Sequence, residues 1–256
     1  MYKLPILISV PHGGTLVPDE LKDYVRLNKY ELFNDSDAFT KDIYDLNTKV
    51  EIVITADIAR AFIDFNRAKD DRPPKNPDGI VKTHTCFNIP IYKKNFIWNE
   101  NLTHILINRY YKPYHKRIRK SIQRSKIKLA LDCHSMAAVG PPISPDVGEK
   151  RKAMICLGNR NGESCDFEIV QKLADCFQNV FSLQKKEVKI NKPFSGGYIT
   201  QSYGMKPIPW IQVEMNRALY LTPPWFNYNT IKMDKKRLRE LNQMFEKTLI
   251  MFFNEE

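Results

Sequence analysis

Two histidines in this chain each follow a run of apolar residues, where a protein can present a metal ligand or a proton carrier. His12 sits in Pro11-His12-Gly13-Gly14 after Leu4–Val10, and His134 sits in Cys133-His134-Ser135-Met136 after Lys128–Asp132. A short apolar run closed by Pro and Gly reads as a buried strand ending in a tight turn. In open α/β sheets, ligands bind at the carboxyl ends of such strands. Taken alone, His12 could equally be a turn histidine at the surface. Two carboxylate sources join the histidines: Asp35 or Asp37 in Asn34-Asp35-Ser36-Asp37, and Glu214 in Trp210–Met215. The tetrapeptide also suits a helix N-cap, with Ser36 or Asp37 as the cap. Glu214 points from an otherwise apolar strand, which is costly unless the carboxylate is paired or at work. Two histidines and one carboxylate, with a position left for water, compose a catalytic zinc site, and a further free carboxylate can act as its general base.

A second polar group lies in Ala59–Arg67. Read as an extended strand, it places Arg60, Phe62, Asp64 and Asn66 on one face, with Arg67 at the end. A guanidinium beside a carboxamide suits the gripping of a carboxylate. The alternative for Arg60 and Asp64 is an internal salt bridge. Asp132, two residues before His134, can fix that ring's tautomer or orient a water.

The remaining segments must position these groups. Glu51–Thr55 and Lys152–Leu157 read as strands, and Phe194–Thr200 as a glycine turn entering one. Asn101–Lys126 reads as a long helix kinked at Pro113. Asp166–Phe181 and Met233–Phe253 read as amphipathic helices, and residues 29–46 as helical segments. Residues 69–79 and 137–151 are Pro- and Gly-bearing loops, the second placed to overhang the site.

The bulk numbers are those of a globular chain: 256 residues, 43% hydrophobic and 27% charged, with formal net charge +11. The surplus charge raises nucleic acid or a membrane surface as partners. The strongest cluster, His115–Lys120, reads better as a solvated helix face, without RNP-type aromatic strings or a helix-turn-helix signature. Neither nucleic acid nor membrane is therefore expected as a partner. No run reaches the roughly 18 apolar residues of a membrane span. The first apolar run is too short for a signal peptide. Five cysteines without a CxxC pair suggest neither a zinc ribbon nor a disulfide framework, and point to the cytoplasm.

The chain resembles the N-formylglutamate amidohydrolase (deformylase) family. The resemblance runs through Ser9-Val-Pro-His12-Gly-Gly, Asp35-Ser-Asp37, Arg60-Ala-Phe-Ile-Asp64-Phe-Asn66-Arg67, Asp132-Cys-His134-Ser135, Gly196-Gly-Tyr-Ile-Thr200 and Gln212-Val-Glu214-Met. Pro113-Tyr114-His115 and Gly162–Asp166 also match family positions. Together the strings cover roughly Leu4 to Tyr220. It implies a single three-layer α/β domain over residues 1–256. A mixed central sheet is flanked by helices, similar to the zinc carboxypeptidase and aminoacylase-type (phosphorylase/hydrolase-like) hydrolases. It implies a Zn2+-dependent amidohydrolase acting on a small molecule with a free carboxylate, N-formyl-L-glutamate, to give formate and glutamate. Cobalt or manganese would also suit two histidines and an aspartate. By resemblance His12, His134 and Asp37 are the metal ligands, with Asp35 behind Asp37 or in its place, and Asp132 and Ser135 support them. Glu214 is the general base, and Arg60 steadies the oxyanion. Asn66 and Arg67 grip the carboxylate, with Asp64 and Arg217 also on the substrate side. The chain departs from the family where members often carry Leu-Glu-Leu-Ala-Gln: it has Val213-Glu214-Met215-Asn216-Arg217. The loop 137–151 is also its own.

Overall fold

The computed structural model describes residues 3–144 and 146–254; Met1, Tyr2, Glu255 and Glu256, and Pro145 in the loop 137–151, lie outside the described residues. A mixed sheet runs through the centre. Its strands are β1 (Leu4–Val10), β2 (Val50–Thr55), β3 (Leu129–Met136), β4 (Ile155–Gly158), β5 (Val188–Ile190) and β6 (Trp210–Asn216). The order across the sheet is β2-β1-β3-β6-β4-β5. The first four are mutually parallel, while β4 runs antiparallel to β6 and parallel to β5.

Every residue of β1, β3, β4 and β6 is buried. Such strands read as nearly continuous apolar runs because both faces are covered. On one face, Ile6, Ile8, Leu131, Val213 and their neighbours pack against α2 (Thr40–Tyr44), α5 (Phe167–Phe181) and α7 (Lys235–Asn254). On the other, Leu7, Ala130 and Trp210 pack against α3 (Glu100–Leu106), α4 (Lys112–Ser121), α6 (Tyr198–Tyr203) and residues 54–92. This is the expected three-layer α/β architecture. No helix among the described residues is long and apolar enough to cross a membrane.

From β1 the chain goes to β2 on one side and then returns to β3 on the other. That reversal opens a crevice at the carboxyl ends of β1 and β3, where His12 and the end of β3 lie.

Several segments differ from expectation. Ala59–Arg67 is not a strand but a series of turns, with Phe62 N donating to Ala59 O and one bridge from Ile63 to Val81. Ala61, Phe62, Ile63 and Phe65 are all buried, so periodicity could not separate strand from turn. Phe194–Thr200 leads into the helix α6 rather than a strand, with Gly197 at its N-cap. Asn34–Asp37 closes α1 (Lys29–Asp35) instead of opening the next helix; the cap of α1 is Asn28, in a capping box with Glu31. β3 continues through His134 because its pairing with β6 runs on to Met136–Asn216.

The long helix is interrupted, as Pro113 predicts, but by a π-turn over Ile107–Tyr111 in which Lys112 N donates to Ile107 O. Proline has no N–H to give the carbonyl one turn back, and the wider turn accommodates the break. The helix then ends at Ser121, short of Lys126.

Directly after the break, His115 is buried between Tyr203 OH, 2.8 Å from Nδ1, and Phe65 O, 2.9 Å from Nε2. Burial pushes its pKa down to about 4. A folded value below the unfolded value near 6.5 means the neutral ring stabilises the fold above pH 6.5. That contribution is lost as pH falls toward 4. We expect about 3 kcal/mol of pH-dependent stability over that window. Urea unfolding of wild type and His115→Gln from pH 7 to 4 checks it: the wild-type curve should fall more steeply, and parallel curves would remove the assignment.

Candidate active site

A cleft of about 490 Å³ opens at the carboxyl ends of β1, β3 and β6. His12 reaches it from the turn after β1, His134 from within β3, and Asp37 from the connection between α1 and α2. The two imidazoles meet edge to face, with Nδ1 atoms 3.1 Å apart. Asp37 Oδ2 lies 3.2 Å from His134 Nδ1 and 3.5 Å from His12 Nδ1. All three residues are buried and their donor atoms can share one ion. Two ring nitrogens this close repel unless a proton or a metal cation lies between them. Tetrahedral donors at zinc bond lengths are about 3.3 Å apart, so this donor set fits a small transition-metal ion.

Each ligand candidate is held from behind. His12 Nε2 lies 2.7 Å from Asp64 Oδ1, and a proton on that nitrogen leaves the Nδ1 lone pair facing Asp37. His134 Nε2 is 3.1 Å from Asp132 Oδ2 and 3.2 Å from Asn66 Nδ2. Asp132 is anchored by Ser9 Oγ, which donates to its Oδ1 at 3.1 Å and lies 2.8 Å from Tyr114 OH. Asp37 Oδ2 accepts from Ser135 N, and its Oδ1 from Arg217 Nη2. Burial pushes Asp37 up, but the neighbouring imidazoles of His12 and His134 outweigh it and hold the carboxyl well below the usual range. Burial likewise opposes ionisation of Asp64, yet His12, Arg60 and Arg67 hold it low.

Glu214 stands beside His134 in register on the neighbouring strand and lines the same cleft. Its Oε1 accepts from Gln212 Nε2 at 2.8 Å, and Gln212 Oε1 accepts from Gly197 N. Burial pushes Glu214 up to about 7, which suits a group that exchanges protons near neutrality.

Arg60, Asn66 and Arg67 also line the cleft. Asn66 is fixed by Ile199 N, which donates to its Oδ1 at 2.7 Å. Gly197 is required there, because a Cβ would collide with the Asn66 carboxamide.

A family model described as N-formylglutamate amidohydrolase matches residues 4–221. The chain belongs to that family. Membership makes it an amidohydrolase, a hydrolase of an amide bond. An N-formylglutamate deformylase of Pseudomonas putida is 25% identical over 228 residues, covering 86% of this chain and 82% of the relative. The crystal structure of an N-formylglutamate amidohydrolase from Ralstonia eutropha JMP134 is similar with a TM-score of 0.76. It is 21% identical, covering 98% of this chain and 94% of that one. The gene product Atu2144 of Agrobacterium tumefaciens is similar with a TM-score of 0.63 at 15% identity, covering 99% and 92%. Both structures show the shared fold.

Within this amidohydrolase the geometry changes three expectations from sequence. Asp35 neither ligates nor backs the ligands: it turns away to Lys82 and to Cys86 N. Asp64 faces His12 and Arg60 rather than a substrate, and its salt bridge with Arg60 is the internal pair weighed above. The Arg217 guanidinium is occupied by Asn34 O, Ser36 O, Asp37 Oδ1 and Ser135 Oγ, which makes it a clamp on Asp37. Sequence reasoning places Ser9, Tyr114 and Gln212 in family-like strings but gives them no role. The signal for Ser9 and Gln212 was a polar residue inside an apolar strand.

Proposed function

We propose that this amidohydrolase removes the formyl group of N-formyl-L-glutamate, giving formate and L-glutamate. His12, Asp37 and His134 would hold a divalent metal, zinc first. The observation that carries the reading is the convergence of those three donors beside Glu214, in a cleft walled by Arg60 and Arg67. When bound, the metal would lower the pKa of a water and polarise the amide carbonyl.

Glu214 accepts the proton of the attacking water, aided by a pKa already raised by burial. As the C–N bond breaks, the same carboxyl returns the proton to the leaving amine nitrogen. Gln212 keeps Glu214 aimed at the cleft. Arg60 adds positive charge on the wall where the oxyanion develops. Arg67, with 35% of its side chain exposed, takes the substrate carboxylate and so orients the amide. The buried thiols Cys86, Cys133, Cys156 and Cys165 suit a reducing compartment, and we propose the cytoplasm.

The test is a panel of N-acyl amino acids offered to zinc-loaded wild type and Arg67→Ala. We expect N-formylglutamate to be the best substrate. In Arg67→Ala, kcat/KM should fall about 10- to 100-fold for substrates with a free carboxylate, the loss of a charge-assisted contact. Preference for another acyl group would replace the substrate. An equal loss on an uncharged amide would make Arg67 structural.

A further inference from the structure

Lys82 is the one fully buried lysine among the described residues, and the mechanism above does not use it. A buried ammonium is sustainable only when paired. Its Nζ donates to Asp35 Oδ2 at 3.0 Å and Oδ1 at 3.2 Å. It also lies 2.6 Å from Asp78 Oδ1, an ion pair off the hydrogen-bond direction.

Asp78 faces two ways. Its Oδ1 is turned inward to Lys82. Its Oδ2 lies on the cleft wall, accepting from Arg67 Nη2 at 2.7 Å and lying 3.6 Å from Arg60 Nη2. The Asp78 carbonyl also accepts from Arg67 Nε at 3.1 Å. Lys82, Arg60 and Arg67 thus balance Asp35, Asp64 and Asp78, with half-exposed Asp71 at the edge, 4.0 Å from Arg67. Without the ammonium, Asp78 would turn its whole charge onto Arg67, its hydrogen-bond partner, Arg60 lying farther off at 3.6 Å. An incoming carboxylate would then meet a guanidinium already neutralised.

We propose that Lys82 is a positioning residue for substrate binding: it anchors Asp78, and through Asp78 it sets the orientation and free charge of Arg67, the guanidinium that hydrogen-bonds Asp78. The inference rests on the reading that Arg67 receives the substrate's carboxylate. It assigns Lys82 to affinity for anionic substrates and not to the chemical step.

The test uses the metal-loaded double variant Lys82→Met/Asp35→Asn, which removes one buried charge of each sign and keeps an acceptor for Cys86 N. Wild type and variant are compared on N-formylglutamate and on its diamide, in which both carboxylates are capped. KM for N-formylglutamate should rise about tenfold, the loss of one well-placed charged contact. kcat should stay within about twofold, with metal content and diamide kinetics unchanged. An unchanged KM, or the same shift on the diamide, would overturn the proposal. So would a fall in kcat at constant KM. If the double variant does not fold, Asp78→Glu carries the test. It keeps the charge and displaces the Arg67 guanidinium, so a several-fold rise in KM confined to the carboxylated substrate is expected, and no rise overturns the proposal. A wild type that cleaves another N-acyl amino acid but not N-formylglutamate would overturn the substrate reading alone. The same KM comparison on that compound then decides the role of Lys82.

Discussion

In the Glu214→Gln variant, turnover falls by about 10²–10⁴ while metal content and fold are retained, the usual span for losing a general base. Glutamine is nearly isosteric and can still meet Gln212, so packing on β6 is preserved. What disappears is the group that takes up and returns a proton. The wild-type pH profile should carry a matching limb. The working form is the carboxylate, so kcat/KM drops as pH falls through the Glu214 pKa. Burial pushes that value up to about 7, and a divalent cation alongside draws it lower, so the limb lies at or below neutrality. The limb should be absent from the residual activity of Glu214→Gln. Near-normal turnover in that variant would remove Glu214 from the mechanism.

Stripping the metal with a chelator should take activity to background, and one equivalent of zinc should restore it. Asp37 and His12 lie 97 and 122 residues from His134 along the chain. An unfolded chain therefore offers no local pair of ligands. A metal that binds the folded state alone stabilises it by about 2.7 kcal/mol at a hundred times its Kd, so unfolding should shift to higher denaturant on loading. Metal content by mass spectrometry, activity and the urea midpoint should move together. Full activity in metal-free protein would sink the role given to His12, Asp37 and His134.

Much of this was readable from residues, for identifiable reasons. β1, β3 and β6 announce themselves because strands covered on both faces need largely apolar side chains, and the half-buried edge strand β2 by its β-branched residues. α5 and α7 repeat their buried positions at helical spacing. Glu214 stands out as a charge inside an apolar strand run, and His12 and His134 as histidines that follow one directly. The segment 59–67 is different. Its turns are set by distant partners, such as Leu16 O accepting from Ala59 N and Ile80 O from Asp64 N. α6 was misread for a related reason: β-branched Ile199 and Thr200 suggest a strand, but Asn66 caps the segment from 133 residues away. Choosing between Asp35 and Asp37 depended on which way a tight turn points, and Lys82, in an irregular loop, decides where Asp35 goes. The support given by Ser9 and Tyr114 likewise depends on α4 lying across the sheet.

The strand order also bears on how the protein is made. β4 and β5 leave the ribosome before β6, yet β6 stands between them and β3. They have no place in the main sheet until β6 arrives, whereas β2, β1 and β3 can associate as soon as residue 136 has emerged. The three proposed metal donors all belong to that early half. Glu214, the proposed base, belongs to the strand that completes the sheet, and Arg217, which clamps Asp37, follows it. On the proposed mechanism, catalytic competence is thereby tied to the last strand pairing of the main sheet.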